Sequence, residues 1–148
     1  MNKEIIEKAG EIIRQSTAHN TMEGSEPYCV LALIDSEGYP TASTITASQA
    51  DGINWLTFCT GLESNKAKRI ANCNRASVCF NRDGAYNITL VGTIEVVTDP
   101  TVKHEMWYAG MGQHFSDPDA PGYCVLRFKT ERYNLLVDWK EAEGLLRK

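Results

Sequence analysis

Between residues 28 and 98 the chain is a succession of short segments rich in β-branched and aromatic residues, most of them followed by a cluster of turn residues. Such segments predict β-strands, and connections this short predict hairpins between antiparallel neighbours. The predicted strands are residues 28–34, 41–48, 53–60, 76–81, 86–98 and, after a longer loop, 123–137. Six strands joined mostly by tight turns favour a mainly β (α+β) fold, a six-stranded antiparallel barrel with peripheral helices.

Helical patterns flank this series of strands and interrupt it once. Residues 3–15 carry apolar side chains at the spacing of an amphipathic helix, namely Ile5, Ile6, Ala9, Ile12 and Ile13. Ser64 is a predicted N-cap for a short helix, and Pro100 fits the first turn of a helix running to about Gly110. Residues 139–148 suggest a terminal helix, and the last strand is expected to bend or bulge near residues 130–132.

Length and charge restrict the class of protein. A chain of 148 residues with 43% hydrophobic and 23% charged residues fits one soluble globular domain, residues 1–148. No apolar run approaches the roughly 20 residues of a membrane span, and charges near Met1 argue against a signal peptide, so we expect a cytoplasmic protein. The net charge of −4 argues against nucleic acid as a partner.

Cysteine and histidine give little support for a metal site. The five cysteines are an odd number, none at the C-x-x-C spacing of a zinc knuckle, and most lie in apolar strand segments, so we expect buried reduced thiols. His104-Glu105 begins like a zinc-protease helix, but Tyr108 stands where the second histidine should be. No metal is predicted.

The most informative segment is residues 56–70, LTFCTGLESNKAKRI. A strand ends at Thr60, and a short loop then brings Ser64, Asn65 and Lys66 to the start of a helix. Free backbone N–H groups and the positive end of the helix dipole suit a phosphate there. The alternative is a capped surface helix with solvated lysines, and the segment alone does not decide between them.

The second predicted strand concentrates hydroxyl groups, with Thr41, Ser43, Thr44, Thr46 and Ser48 within eight residues. Because successive side chains alternate between faces, hydroxyls appear on both sides of the sheet. Together with strand-edge amides they could hold the polar rim of a cofactor. The alternative is that threonine is present because strands favour β-branched residues.

Four segments in order resemble successive motifs of the pyridoxamine 5′-phosphate oxidase-like flavoproteins. They are GYPTASTI at 38–45, FCT at 58–60 followed by SNKA at 64–67, RASVCF at 75–80 and LVGTIE at 90–95. The resemblance covers roughly residues 28–98, and the part from Trp107 to Trp139 is more similar to the general stress protein branch. It implies a split β-barrel, flavin mononucleotide (FMN) as cofactor, and a homodimer with the cofactor at the subunit interface.

The resemblance also implies which residues bind FMN. Ser43, Thr44, Ile45 and Thr46 match the strand that contacts the flavin, and Cys59 and Thr60 match a pair beside the phosphate. Lys66 matches the phosphate-binding lysine, and Asn87 stands where the oxidases have a glutamine near the flavin. Trp139 is expected to pack against the flavin or the partner subunit. The set is Ser43, Thr44, Ile45, Thr46, Cys59, Thr60, Ser64, Asn65, Lys66, Asn87 and Trp139.

The chain departs from the family pattern at three basic positions, occupied here by Ser43, Ser48 and Asn65. FMN is therefore expected to bind more weakly, and pyridoxamine phosphate is not the expected substrate because the C-terminal arginine motif is missing. We expect a flavoprotein oxidoreductase acting on a small substrate. The alternatives are a flavin, deazaflavin or haem carrier without turnover, or a stress-related interaction domain with an empty cleft. For haem, the candidate axial ligands are His19, His104 and His114.

Overall fold

The structure is a computed structural model, and it describes residues 2–21 and 27–146. The helices are α1 (Asn2–Gln15), α2 (Asn65–Asn72), α3 (Pro100–Met106) and a short 3-10 helix (Ala109–Gln113). The strands are β1 (Cys29–Ile34), β2 (Pro40–Ile45), β3 (Ala47–Asp51), β4 (Trp55–Gly61), β5 (Arg75–Arg82), β6 (Tyr86–Val97), β7 (Tyr123–Val137) and β8 (Lys140–Leu145).

The two edge strands of the sheet are connected to each other through a single residue, Thr46. Its strand order is β2-β1-β5-β6-β7-β4-β3, every neighbouring pair is antiparallel, and β8 pairs with the second half of β7. β2 and β3 therefore occupy opposite edges of the sheet although only one residue separates them in the chain. A sheet whose two edges are joined by one residue has to curl, which gives the predicted antiparallel barrel and a mainly β (α+β) fold.

The prediction of six strands was too low because two segments differ. The strand predicted over residues 41–48 divides at Thr46 into β2 and β3. The predicted terminal helix over residues 139–148 is wrong, since Lys140–Leu145 forms β8. Asp138 and Trp139 both have positive φ (51° and 65°), the geometry of a type I′ turn, which reverses the chain and pairs Val137 with Lys140.

Two further predictions concern a bend within β7 and the extent of α3. The bend expected near residues 130–132 is confirmed, because Thr130 pairs with Gly92 and Arg132 with Val91, leaving Glu131 as an extra residue. α3 begins at Pro100 as predicted but ends at Met106, four residues before Gly110.

Most of the buried side chains form one cluster inside the barrel, to which both α1 and α2 contribute apolar side chains. The apolar stripe of α1 is confirmed, since Ile5, Ala9 and Ile13 are buried against it. A second, smaller cluster lies between β4, the start of β7 and α3; its buried members are Cys59, Val97, Met106, Met111, Tyr123 and Val125. None of the described helices is both long and apolar enough to cross a membrane.

Candidate functional site

The predicted phosphate-binding segment has a capped helix start. The Ser64 hydroxyl accepts a hydrogen bond from the backbone N–H of Ala67 at 3.2 Å, and the Ser64 carbonyl accepts one from Lys68 at 3.1 Å. Ser64 has extended backbone (φ −69°, ψ 156°), as an N-cap requires. The N-cap prediction is confirmed, and it fixes the direction in which α2 leaves β4.

The cap leaves two amides of the first turn available to a ligand. The backbone N–H groups of Asn65 and Lys66 have no hydrogen-bond partner among the described residues. They lie at the positive end of the helix dipole, and the first turn of α2 contains no acidic residue. The Lys66 side chain is half-buried, whereas Asn65 is exposed. Two free amides beside a cation suit a phosphate group.

The bend between β2 and β3 lies next to this helix start. Ala47 pairs with Phe58, so one residue further along the antiparallel ladder Thr46 comes beside Cys59. Among the described strands β2 pairs with β1 alone and lies at the edge of the sheet, so one row of its backbone N–H and C=O groups has no partner strand there. Ser43 and Ile45 are half-buried on this strand, and Thr44 is exposed. The predicted site residues fall into three groups along the chain. The structure brings the first, from Ser43 to Thr46, close to the second, from Cys59 to Lys66.

Cys59 points away from that edge. Its thiol is buried in the second cluster, 3.2 Å from the Met106 carbonyl oxygen and 3.4 Å from the Tyr123 hydroxyl. Burial raises the pKa of the Cys59 thiol, while the hydrogen bond with Tyr123 lowers it in part. The side chain is therefore a protonated packing group, and Cys59 can offer a ligand only its backbone. Thr60, the next residue, is half-buried.

Ser48 is also turned into the second cluster. Its hydroxyl lies 2.6 Å from that of Thr57, and both residues are fully buried. The Thr57 hydroxyl in turn lies 3.1 Å from the Met106 sulfur. The position at which the family pattern has a lysine thus serves here as half of a buried hydroxyl pair.

Asn87 and Trp139 form the third group and lie elsewhere on the barrel. Both line a small cavity of about 180 Å³ beside the β5–β6 hairpin, and Trp139 is 77% exposed. Thr60 pairs with Cys124 and Asn87 with Leu136, twelve positions apart on β7. At about 3.3 Å per residue this is roughly 40 Å along the strand. One chain therefore does not bring Asn87 and Thr60 to the same small ligand.

The segment after α3 borders the helix start, a contact that sequence reasoning missed. The Leu62 backbone N–H donates to the Gly122 carbonyl at 2.8 Å, and a β carbon on Gly61 would lie 3.4 Å from the Phe115 ring. Phe115 packs on the Tyr123 ring with 5.7 Å between centroids. The aromatic composition of this segment was the only signal in the sequence.

Lys103 contacts the same segment, and nothing in the sequence indicated this contact. Its side chain is 8% exposed, its ammonium donates to the Ala120 carbonyl at 3.0 Å, and it lies 5.3 Å from the centre of the Tyr123 ring. The Tyr123 hydroxyl donates to the Lys103 carbonyl at 2.8 Å. These contacts fix the wall of the site formed by residues 115–122. Within the described residues no cluster of His, Cys, Asp or Glu could hold a metal ion.

Comparisons with known structures find the same barrel. A protein related to general stress protein 26 from Clostridium acetobutylicum superposes with a TM-score of 0.80 at 20% identity, covering 99% of this chain and 97% of that one. An FMN-binding protein related to pyridoxamine 5′-phosphate oxidase from Nostoc punctiforme gives 0.65 at 13% identity, covering 99% and 96%. A haem-binding protein from Mycobacterium smegmatis gives 0.70 at 19% identity, covering 95% of this chain and 57% of that one.

At these identities the structural likeness shows the fold alone. No curated protein matches the sequence at a significant level. The sequence profile described as Pyridoxamine 5′-phosphate oxidase, in contrast, matches residues 16–136, most of the chain. The matched range includes all four segments identified above, from residue 38 to residue 95. The chain belongs to the pyridoxamine 5′-phosphate oxidase family.

Proposed function

We propose that this protein binds FMN with the phosphate at the start of α2 and acts as an oxidoreductase on a small substrate. The observation that carries the proposal is the pair of free backbone amides of Asn65 and Lys66 beside the half-buried Lys66 side chain. α2 adds Lys68 and Arg69, so the helix is locally basic on a chain whose net charge is −4. A phosphate dianion offsets this charge, and its oxygens accept hydrogen bonds from the two backbone N–H groups.

The remaining partners of FMN come from the neighbouring edge. The unpaired backbone row of β2 and the hydroxyls of Ser43, Thr44 and Thr46 are available to the ribityl chain and the polar rim of the ring. Neutral Ser43 and Asn65 supply no charge, and Ser48 is buried away from the edge. We therefore expect the phosphate to bind more weakly than it would with basic residues at these three positions. Each missing charge-assisted contact would have contributed about 1.5–3 kcal/mol to the binding free energy.

The site in this proposal is completed by a second copy of the chain. Within one chain, Asn87 and Trp139 are too far from Thr60, measured along β7, to contact the same ligand. A two-fold axis would bring Asn87 and Trp139 of one copy to the start of α2 in the other. The outer face of β2, β1, β5 and β6 supports this arrangement. The side chains in its middle are small or apolar, namely Ala42, Thr44, Val30, Ala32, Ser77, Cys79, Thr89 and Val91, and the polar Arg75 and Asn81 lie towards its ends on β5.

When bound, the flavin supplies the hydride or electron transfer, and the chain supplies binding and orientation. Lys66 and the amides hold the phosphate, while the β2 edge orients the ring. Exposed Trp139 of the second copy would shield one side of the ring from water. We also propose a cytoplasmic location, because all five cysteines are free thiols.

A second candidate is haem or deazaflavin binding without turnover on the same barrel. A haem-binding protein shares this fold, which favours testing haem first. Both ring nitrogens of His19 are engaged, by the Met106 carbonyl at 3.1 Å and Gln49 at 3.2 Å, and His104 is paired with Asp119 at 2.6 Å. Only His114 has a side chain without a partner in the described chain. That leaves haem one candidate axial ligand, and we prefer FMN.

The absorbance spectrum of protein purified without added cofactor separates these functions. We expect flavin bands near 370 and 450 nm, or their appearance together with quenched flavin fluorescence after incubation with FMN. A Soret band that disappears in His114→Ala would instead establish haem binding. A protein that stays colourless after incubation with FMN and with haem would contradict both. Turnover is then measured as oxidation of NADH or NADPH by the FMN-loaded protein.

A further inference from the structure

A row of four side chains crosses the outer face of the barrel away from α2's first turn. Trp55 pairs with Lys129, Lys129 with Thr93, and Thr93 with Arg75, so the four residues lie side by side on β4, β7, β6 and β5. In antiparallel sheets directly opposite side chains share a face and have Cβ atoms about 5 Å apart. The row therefore presents an indole, a cation, a hydroxyl and a second cation in sequence.

This row forms part of an open groove. Two adjoining hollows of about 480 and 470 Å³ share Asn74 and Thr93, the first reaching Trp55 and the second Arg75. Each volume is within the range of pockets that bind small molecules. Leu145 and Leu146 form one wall, and the Leu146 backbone N–H donates to the Glu131 carbonyl at 2.7 Å.

The depth of the groove comes from the bulge in β7. Gly92 faces the bulge without a side chain, and a β carbon there would lie 1.9 Å from the Lys129 carbonyl oxygen. The missing side chain and the extra residue Glu131 bend the strand and leave a hollow beside Thr93. The groove is thus a product of the fold's most irregular pairing.

The groove is basic on an acidic protein. Its lining contains four cationic residues and two acidic ones: Arg75, Arg127, Lys129, Arg132, Glu95 and Glu131. Arg127 is already paired with Glu95, with both guanidinium contacts at 3.0–3.1 Å. Arg75 and Lys129 form no ion pair within the described residues, although they flank the Thr93 hydroxyl. An anion between them would meet two unpaired cations.

We propose that this groove binds a nucleoside monophosphate, with the base against Trp55 and the phosphate between Lys129 and Arg75 at the Thr93 hydroxyl. Strands lie about 4.8 Å apart, so Thr93 is roughly 10 Å from Trp55, the length of a mononucleotide from base to phosphate. Trp55 is half-buried, which leaves part of its indole for stacking.

This site is separate from the proposed FMN site. Trp55 begins β4 and Gly61 ends it, six positions or about 20 Å further along the strand. The residues named for ligand contact in the two proposals do not overlap, although Val91, which lines the second hollow, also lies on the face proposed for the dimer. Each can therefore fail without the other, and the test is made with FMN in excess so that the first site, if it binds FMN, is already occupied.

The test is a titration of the full chain, in excess FMN, with adenosine 5′-monophosphate, followed by calorimetry. We expect one saturable site per chain, with affinity reduced about tenfold in Lys129→Ala and in Arg75→Ala. Trp55→Leu should reduce affinity for the monophosphate and leave the weaker binding of inorganic phosphate unchanged. Lys68→Ala, which removes the same charge elsewhere, should bind as the wild type does. Thermal unfolding and the flavin spectrum establish that each variant is folded.

Several outcomes would overturn the proposal. They are the absence of saturable binding by the wild type, unchanged affinity in both Lys129→Ala and Arg75→Ala, or the same loss in Lys68→Ala as in Lys129→Ala. A single-stranded oligonucleotide that binds more tightly and loses its affinity in the same two variants would identify the groove as a nucleic-acid surface. Equal binding of adenosine and its monophosphate would exclude a phosphate subsite.

Discussion

Gly92 on β6 lies so close to Lys129 on β7 that a β carbon on Gly92 would be 1.9 Å from the Lys129 carbonyl oxygen and 2.9 Å from its carbonyl carbon. The contact is with backbone, which has no rotamer by which to move away. It occurs at the shift in register between β6 and β7, the longest pairing of the sheet. The bend of the barrel therefore depends on the absence of a side chain at residue 92.

Gly92→Ala should lower the free energy of unfolding by about 3 kcal/mol or more, because the strands must separate or the bulge must shift. Urea unfolding measures the change. Gly112→Ala is the matched control, since a β carbon there meets no atom of the described residues within 4 Å, and it should stay within about 0.5 kcal/mol of the wild type. A Gly92→Ala protein of wild-type stability would show that the strands pair differently from this register.

Lys66→Ala should weaken FMN binding by about 1–3 kcal/mol with little change in the stability of the cofactor-free chain. Lys66 is half-buried beside two free amides, whereas Lys68, two residues along the same helix, is exposed. Lys68→Ala removes an equal charge and should cost less than about 0.5 kcal/mol of affinity. Fluorescence titration with FMN measures both. Equal losses in the two variants would remove Lys66 from the site.

Val30→Glu should convert the proposed dimer into monomers and abolish FMN binding. Val30 is 38% exposed near the middle of the outer sheet face, between Thr44 and Cys79. A two-fold interface on this face would bury two new carboxylates without partners. Thr101→Glu is the control, since it adds the same carboxylate at an exposed position on α3, which packs against β7 and β4. Sedimentation velocity measures the mass, and a dimeric Val30→Glu protein would place the interface elsewhere.

Stability should fall as the pH rises above about 9. Burial, with a smaller effect of Cys79, raises the pKa of the Cys29 thiol from 9.0 to about 12. Its contribution to stability is complete below pH 9 and is lost as the pH rises towards 12, because the unfolded chain ionises first. The loss is up to about 1.4 kcal/mol per pH unit.

Urea unfolding of Cys29→Ala at pH 8, 9 and 10 should show a shallower fall in stability than the wild type. Other groups, among them the Cys124 thiol with a pKa raised by burial to about 11, keep part of the slope in the variant. Cys73→Ala, at a half-buried position after α2, is the control and should keep the wild-type slope. Parallel curves for the wild type and Cys29→Ala would mean that the buried thiol ionises in the folded protein as readily as in the unfolded chain.

Local patterns in the sequence were sufficient for the elements whose hydrogen bonds are local. The start of α2 depends on Ser64 and the residues just after it, and the structure has the cap at that position. The buried face of α1 could be predicted from the helical spacing of its apolar residues alone. The predicted terminal helix failed because KEAEGL has good helix-forming residues, whereas the turn at Asp138 and Trp139 pairs the segment with β7 instead. A pairing partner elsewhere in the chain overrides local propensity.

By itself the sequence determined the mainly β (α+β) class, the positions of most strands along the chain and the capped helix start with Lys66, because these follow from spacing and from residues next to each other. Only the tertiary structure decided that β2 and β3 are opposite edges joined at Thr46, that Cys59 faces Met106 and Tyr123, and that Asn87 lies far from Thr60 along β7. The reason is that strand pairing and barrel closure join residues distant in the chain, and no local pattern records which side of the sheet a given side chain will find covered.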